Sequence, residues 1–133
     1  MDGASPRGGG VNAVVSLLLV GVGGAAGAVA RYLLERSAAQ RITDSFPYGI
    51  LIANVIGSFL LGILLAAVDG AWLILLGVGF CGALTTYSTF AHDTVRLVGS
   101  GQMPAAITNV VVSVVAGLIA VALGWSLGSA LVS

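Results

Sequence analysis

The stretch from Gly77 to Phe90, GVGFCGALTTYSTF, runs from glycine-rich apolar residues into five consecutive hydroxyl-bearing side chains, Thr85 to Thr89, and then Phe90. No charge or turn residue separates the two parts. The apolar part of this segment, Ala71 to Leu84, holds about 14 residues, whereas a bilayer crossing needs roughly 20. To cross, the segment must continue through the polar run to about Val95. Length alone then places Gly82 to Thr86 near mid-depth, where every backbone polar group needs a partner within the protein or a watery cavity. The stretch therefore predicts a membrane helix broken near its middle.

The remaining composition agrees with a membrane setting. The chain is 58% hydrophobic and 8% charged, with a mean hydropathy of +1.09. It reads as an all-α integral membrane protein, and its balanced, sparse charges exclude nucleic acid as a partner. Met1 to Gly10 reads as a disordered terminus, followed by a single domain of four spans at about 11–34, 48–68, 71–95 and 103–127. Arg7, the apolar core from Val14 and the Ala28-Val29-Ala30 triplet imitate a cleavable signal peptide. Glycines at 21, 23, 24 and 27, at helix-packing spacing, argue against that. Pro47 after Asp44 and Ser45 marks the start of span two, Asp69-Gly70 a tight turn before span three, and Pro104 the start of span four. Trp72, Trp125, Tyr32 and Tyr48 fall near span ends, as an interfacial belt requires. Arg36, Arg41 and Arg96 against Arg7 favour the loops after spans one and three in the cytoplasm by a margin small enough to suit insertion both ways. Cys81, the lone cysteine, reads as a small buried hydrophobe.

Uncharged polar residues at membrane depth carry the functional signal. Span two offers Asn54 and Ser58, span four Asn109 and Ser113, and span three Thr85, Thr86, Ser88 and Thr89. Small and hydroxyl residues also serve as helix–helix glue, the favoured reading for Ser58, Gly62, Gly117 and the span-one glycines. For Asn54, Asn109 and the Thr/Ser cluster the lining reading is favoured, because an unpartnered amide at that depth is costly. Hydroxyls, amide N–H groups and the electropositive ring edges of Tyr87 and Phe90 can all donate toward a small anion; ordinary packing is the equal alternative for the two rings. Gly77, Gly79 and Gly82 weaken the helix, and an unwound turn there would free carbonyls able to hold a cation such as Na⁺, unless the glycines serve only close packing. Arg31, His92 and Asp93 near span ends read as anchors, with Arg31 also able to draw anions. Ser88 and His92 lack the third group that a hydrolase site needs.

The segments GGAAGAVARY (Gly23 to Tyr32), PYGILIANVIGSFLLG (Pro47 to Gly62) and GFCGALTTYSTF (Gly79 to Phe90) resemble the small bacterial fluoride channels, the CrcB or Fluc family. The resemblance implies an antiparallel dual-topology homodimer with two pores in the inner (plasma) membrane, exporting fluoride that enters as HF and is trapped by ionisation. It implies a structural Na⁺ at the dimer axis held by the backbone carbonyls of Gly82 and Thr85. It implies fluoride-lining rings at Tyr87 and Phe90, a pore asparagine at Asn54, and a polar track of Ser88, Thr89, Asn109 and Ser113. Arg31 matches a vestibule arginine, and Asp93 stands where glutamate is common. Tyr87 departs from the usual phenylalanine and Ala83 from a frequent glycine. Some members pair non-identical subunits; retention of Asn54, Tyr87 and Phe90 favours a homodimer over pairing with a paralogue. The alternative function is a small four-helix proton-coupled multidrug exporter, which needs an intramembrane carboxylate. A third, a nonconducting assembly subunit, predicts no polar strip on three helices.

Overall fold

A computed structural model describes residues 11–41 and 46–133. The expected disordered terminus, residues 1–10, and the Asp44-Ser45 start signal lie outside the described residues. Within them the chain is all-helical, with four helices long and apolar enough to cross a membrane. We label these α1 (Ala13–Arg41), α2 (Tyr48–Ala67), α3 (residues 70–84) and α4 (Tyr87–Gly99), which together make the third span, and α5 (Met103–Val132). α1 runs on to Arg41, past the end of its predicted span, and α5 likewise continues to Val132.

The connections follow from local chemistry. Pro47 precedes the first turn of α2, where a missing N–H costs nothing. Gly70 and Gly101 have φ of +59° and +80°, the left-handed region that other residues adopt at a cost. Gly101 lets the chain reverse after α4, its N–H donating to the Val98 carbonyl at 3.1 Å. Both reversals fall where the sequence places them.

Packing is carried by small residues. α2 packs along α5, and α1 packs along α3. A side chain at Gly62 would strike the Val121 carbonyl, one at Gly124 the Phe59 carbonyl, and one at Gly128 the Ile63 carbonyl. On the other side, Gly23 faces the Leu75 carbonyl, Gly27 faces that of Phe80, and Gly79 in turn lies against Gly23. Backbone meets backbone at both seams, the arrangement that drives association where apolar burial gains nothing over lipid. Large apolar side chains accordingly point outward: Leu17 is 72% exposed and Leu118 65%. A surface of that kind belongs in lipid, and the chain is a multi-pass membrane protein.

The third span departs from regular helix in two places. From Leu73 to Cys81 it is π-helical, and the Gly82 N–H reaches back five residues to the Gly77 carbonyl. The sequence suggests unwinding at Gly77, Gly79 and Gly82. Instead the segment widens into a π-helix, with Gly79 closing on α1 at Gly23 and Gly77 facing Leu61 of α2, and the break comes after them. Thr85 and Thr86 are extended, at φ −85°, ψ 157° and φ −152°, ψ 128°. They sit midway along Gly70–Gly99, as the length argument requires.

Candidate functional site

The break is held by one side chain from another helix. Asn54 of α2 accepts from the Thr86 N–H through Oδ1 at 2.8 Å, and its Nδ2 donates to the Thr86 carbonyl at 3.3 Å. Both backbone groups that helix would have paired are thereby satisfied by a single amide. Thr86 then starts α4, its Oγ1 accepting from the Thr89 N–H at 3.2 Å as an N-cap. On the other flank, the Thr85 N–H and Oγ1 both donate to the Cys81 carbonyl at 3.0 Å.

The break leaves the carbonyls of residues 82–85 without helical donors, and at its two ends, Gly82 and Thr85, the hydrogen bonds show where the donors have gone. In an α-helix carbonyl i accepts from N–H i+4. The Thr86 N–H, due to Gly82, goes to Asn54, and the Thr89 N–H, due to Thr85, goes to Thr86. Gly82 is exposed and Thr85 half-buried. Oxygen atoms freed in this way suit a hard monovalent cation. Among the described residues no three His, Cys, Asp or Glu side chains come together to hold a metal, so the backbone oxygens are the donor set this region offers.

An open groove of about 690 Å³ lies along the break. Asn54 and Ser58 from α2, Gly82, Thr85 and Thr86 from the broken span, Tyr87 and Phe90 from α4 and Ser113 from α5 all line it. Leu61, Leu65, Leu73 and Val78 form apolar wall. The Tyr87 and Phe90 rings lie 5.9 Å apart, tilted by 50°, and Tyr87 is 79% exposed. No ionised side chain is among the lining residues. The groove thus offers hydroxyl and amide donors and ring edges, which can replace part of an anion's water without holding it by a fixed charge.

Several expected residues stand elsewhere. Asn109 is 1% exposed and outside the lining; its Nδ2 donates to Thr94 Oγ1 at 2.9 Å, and its Oδ1 accepts from Ser113 at 3.4 Å. Thr89 is half-buried against Thr86, and Ser88 is exposed away from the lining. Asp93 lies 3.8 Å from Arg96 and 3.7 Å from His92 on its own helix. Arg31, on α1, has a buried Nε without a hydrogen-bond partner among the described residues. No ion pair joins Arg31 to Asp93 among the described residues. Ser58 belongs to the lining as well as to the seam, facing Gly117.

Two residues of consequence escape the sequence reading. Thr86 appears there only as one of several hydroxyls, although a threonine immediately before the first residue of a helix is a capping signal. Thr94 carries no signal until α4 and α5 are placed side by side.

Comparison with known proteins places the chain among relatives. A family model described as CrcB-like protein, Camphor Resistance (CrcB), matches residues 18–125. The chain is 46% identical to fluoride-specific ion channel FluC 1 of Nocardia farcinica over 121 residues, covering 90% of this chain and 83% of that protein. It is 48% identical to fluoride-specific ion channel FluC 2 of Natronomonas pharaonis over 120 residues, covering 90% and 99%. A Shewanella putrefaciens fluoride-specific ion channel FluC is 42% identical over 119 residues, covering 86% and 96%. Since the match runs from the first span through the fourth and takes in the whole of the broken third span, the chain belongs to the CrcB family.

Proposed function

We propose that this protein is a fluoride-selective channel, not an enzyme, which lowers cytoplasmic fluoride by passive export through pores in a dual-topology homodimer of the inner membrane. The observation that carries the reading is the groove: donors from three spans converge at the break without any ionised side chain. Relatives named as fluoride-specific channels, matching over most of their length, supply the ion. Asn54 contributes one N–H to the Thr86 carbonyl and retains a second for the anion. The rings of Tyr87 and Phe90 present edges beside the Ser113 hydroxyl; Ser88 and Thr89 on α4 lie outside the groove of the single chain and would continue the polar path beyond it. Arg31 and Asp93 serve the vestibules at the span ends.

The dimer is supported by what a single copy leaves exposed. Carbonyls without donors at membrane depth need partners, and a second, inverted copy brings its own pair to the same axis. The Gly82 and Thr85 carbonyls would hold a structural Na⁺ there, which supplies the positive charge that the freed oxygens lack. A proton-coupled exporter would need a carboxylate facing its cavity, and the lining residues include none.

Fluoride efflux from liposomes containing the purified protein, with chloride as the control, tests the function. Rapid fluoride efflux with negligible chloride efflux is expected; equal rates would overturn it. Replacing Na⁺ with a large organic cation is expected to lower the thermal midpoint of the purified dimer, and an unchanged midpoint would remove Gly82 and Thr85 from a cation site.

A further inference from the structure

Behind the groove, a chain of hydrogen bonds links α5 to the backbone of the aromatic pair. Thr94 Oγ1 donates to the Phe90 carbonyl at 2.9 Å; since a carbonyl only accepts, the hydroxyl proton is committed there. Its lone pairs remain for the Asn109 Nδ2 at 2.9 Å. A reversed Asn109 amide would set Oδ1 against those same lone pairs, so Thr94 fixes the amide's orientation. The Asn109 Oδ1 is then turned to Ser113, which donates at 3.4 Å. The order is Ser113 to Asn109 to Thr94 to Phe90, each hydrogen donated in one direction.

This chain acts where α4 has few other restraints. α4 enters from an extended break and packs mainly on α5. Its one fully buried apolar anchor is Leu97, at 0% exposure, a turn beyond Thr94. An apolar contact resists separation but tolerates rotation, whereas the Asn109–Thr94 bond fixes both the height and the rotation of the helix. Through the Thr94 hydroxyl the chain ends on the carbonyl of Phe90, the residue whose ring lines the groove. With 1% exposure and both amide ends engaged inside the protein, Asn109 is built as a brace.

We infer that Thr94 is a positioning residue that sets Phe90, and with it Tyr87, against the conduction path, and that Asn109 acts through Thr94. This rests on the fluoride-channel reading for its effect on transport. Thr94→Val keeps the shape of the side chain but leaves a buried N–H of Asn109 unpartnered. Fluoride efflux should fall about tenfold, the scale of one such orphaned group. Thr94→Ser restores the hydroxyl and should return efflux to within about twofold of wild type. Asn109→Leu removes the same Asn109–Thr94 bond and also the acceptor of Ser113, so it should slow efflux at least as much as Thr94→Val, and because the Asn109–Thr94 bond is shared the double variant should be no slower than Asn109→Leu alone. The double variant leaves neither partner unsatisfied, so it also keeps the test open if Thr94→Val alone does not fold.

Hydrogen exchange over residues 87–99 provides a readout that needs no transport. It should accelerate in Thr94→Val, with residues 48–67 of α2 unchanged, and recover in Thr94→Ser. Wild-type exchange there in Thr94→Val would overturn the brace. Effects that multiply in the double variant would also overturn it, by giving Asn109 a role in the lining of its own. Absence of fluoride efflux from the wild-type protein would overturn the channel reading alone, and exchange would still decide the brace.

Discussion

α2 meets α5 along one part of its length and the break in the third span along another, and it uses opposite means. At the α5 seam, Gly62, Gly124 and Gly128 bring backbone against backbone, and no polar side chain is needed because both helices keep their own hydrogen bonds. Two turns earlier, Asn54 faces a backbone that has lost its helical pairing and replaces it with its own amide. The first contact is held by the absence of side chains, the second by a side chain that stands in for a helix. One helix thereby supplies both a rigid wall and the support that lets its neighbour be irregular at membrane depth.

The two regions should fail differently. A Cβ at residue 124 would run into the Phe59 carbonyl, and neither backbone can yield without separating α2 from α5. Gly124→Leu is expected to cost about 3 kcal/mol or more, seen as loss of monodisperse protein and a lowered thermal midpoint in detergent. Wild-type behaviour would mean that this seam does not hold the bundle. Asn54→Ala should cost less, about 2 kcal/mol, by leaving the Thr86 N–H and carbonyl unpaired while the seam stays intact. Its signature is local: faster exchange at Thr86 and a shorter α4, with α2 and α5 still protected. Asn54→Asp keeps an acceptor for the Thr86 N–H but loses the donor, so its exchange should lie between wild type and alanine. If aspartate and alanine behave alike, the 3.3 Å bond to the Thr86 carbonyl contributes nothing.

This contrast also marks what the sequence could carry. The spans, the reversals at Gly70 and Gly101, and a break near the middle of the third span are properties of local composition and length, and they are legible one segment at a time. So is the polar character of Asn54, Ser113 and the Thr/Ser run. The location of the break within the stretch is not. Gly77 and Gly79 look like the weak point, but their lack of side chains is used against Gly23 and Leu61, and packing turns the weakness into a π-helix. Asn54 and Thr86 are separated by 32 positions in the chain and Thr94 and Asn109 by 15; no periodicity within one helix connects them. Asn109 and Asn54 look equivalent in sequence, each followed four residues later by serine. Only the placement of α4 makes one a brace behind the groove and the other its lining.

The smallest effect on stability, and the finest distinction within the groove, should come from Tyr87. Its side chain is 79% exposed in the single chain, and its hydroxyl makes no hydrogen bond among the described residues, so Tyr87→Phe should change stability by less than about 0.5 kcal/mol. The ring and its contact with Phe90 at 5.9 Å would persist, as would the electropositive edge offered to an anion. Tyr87→Ile keeps an apolar side chain but removes that edge. If the ring edge is what the break and its Asn54 support exist to present, fluoride efflux in Tyr87→Phe should stay near wild type while Tyr87→Ile loses most of it, at similar thermal midpoints. Equal losses would shift the role to the hydroxyl, and equal retention would leave Phe90 as the working ring of the pair.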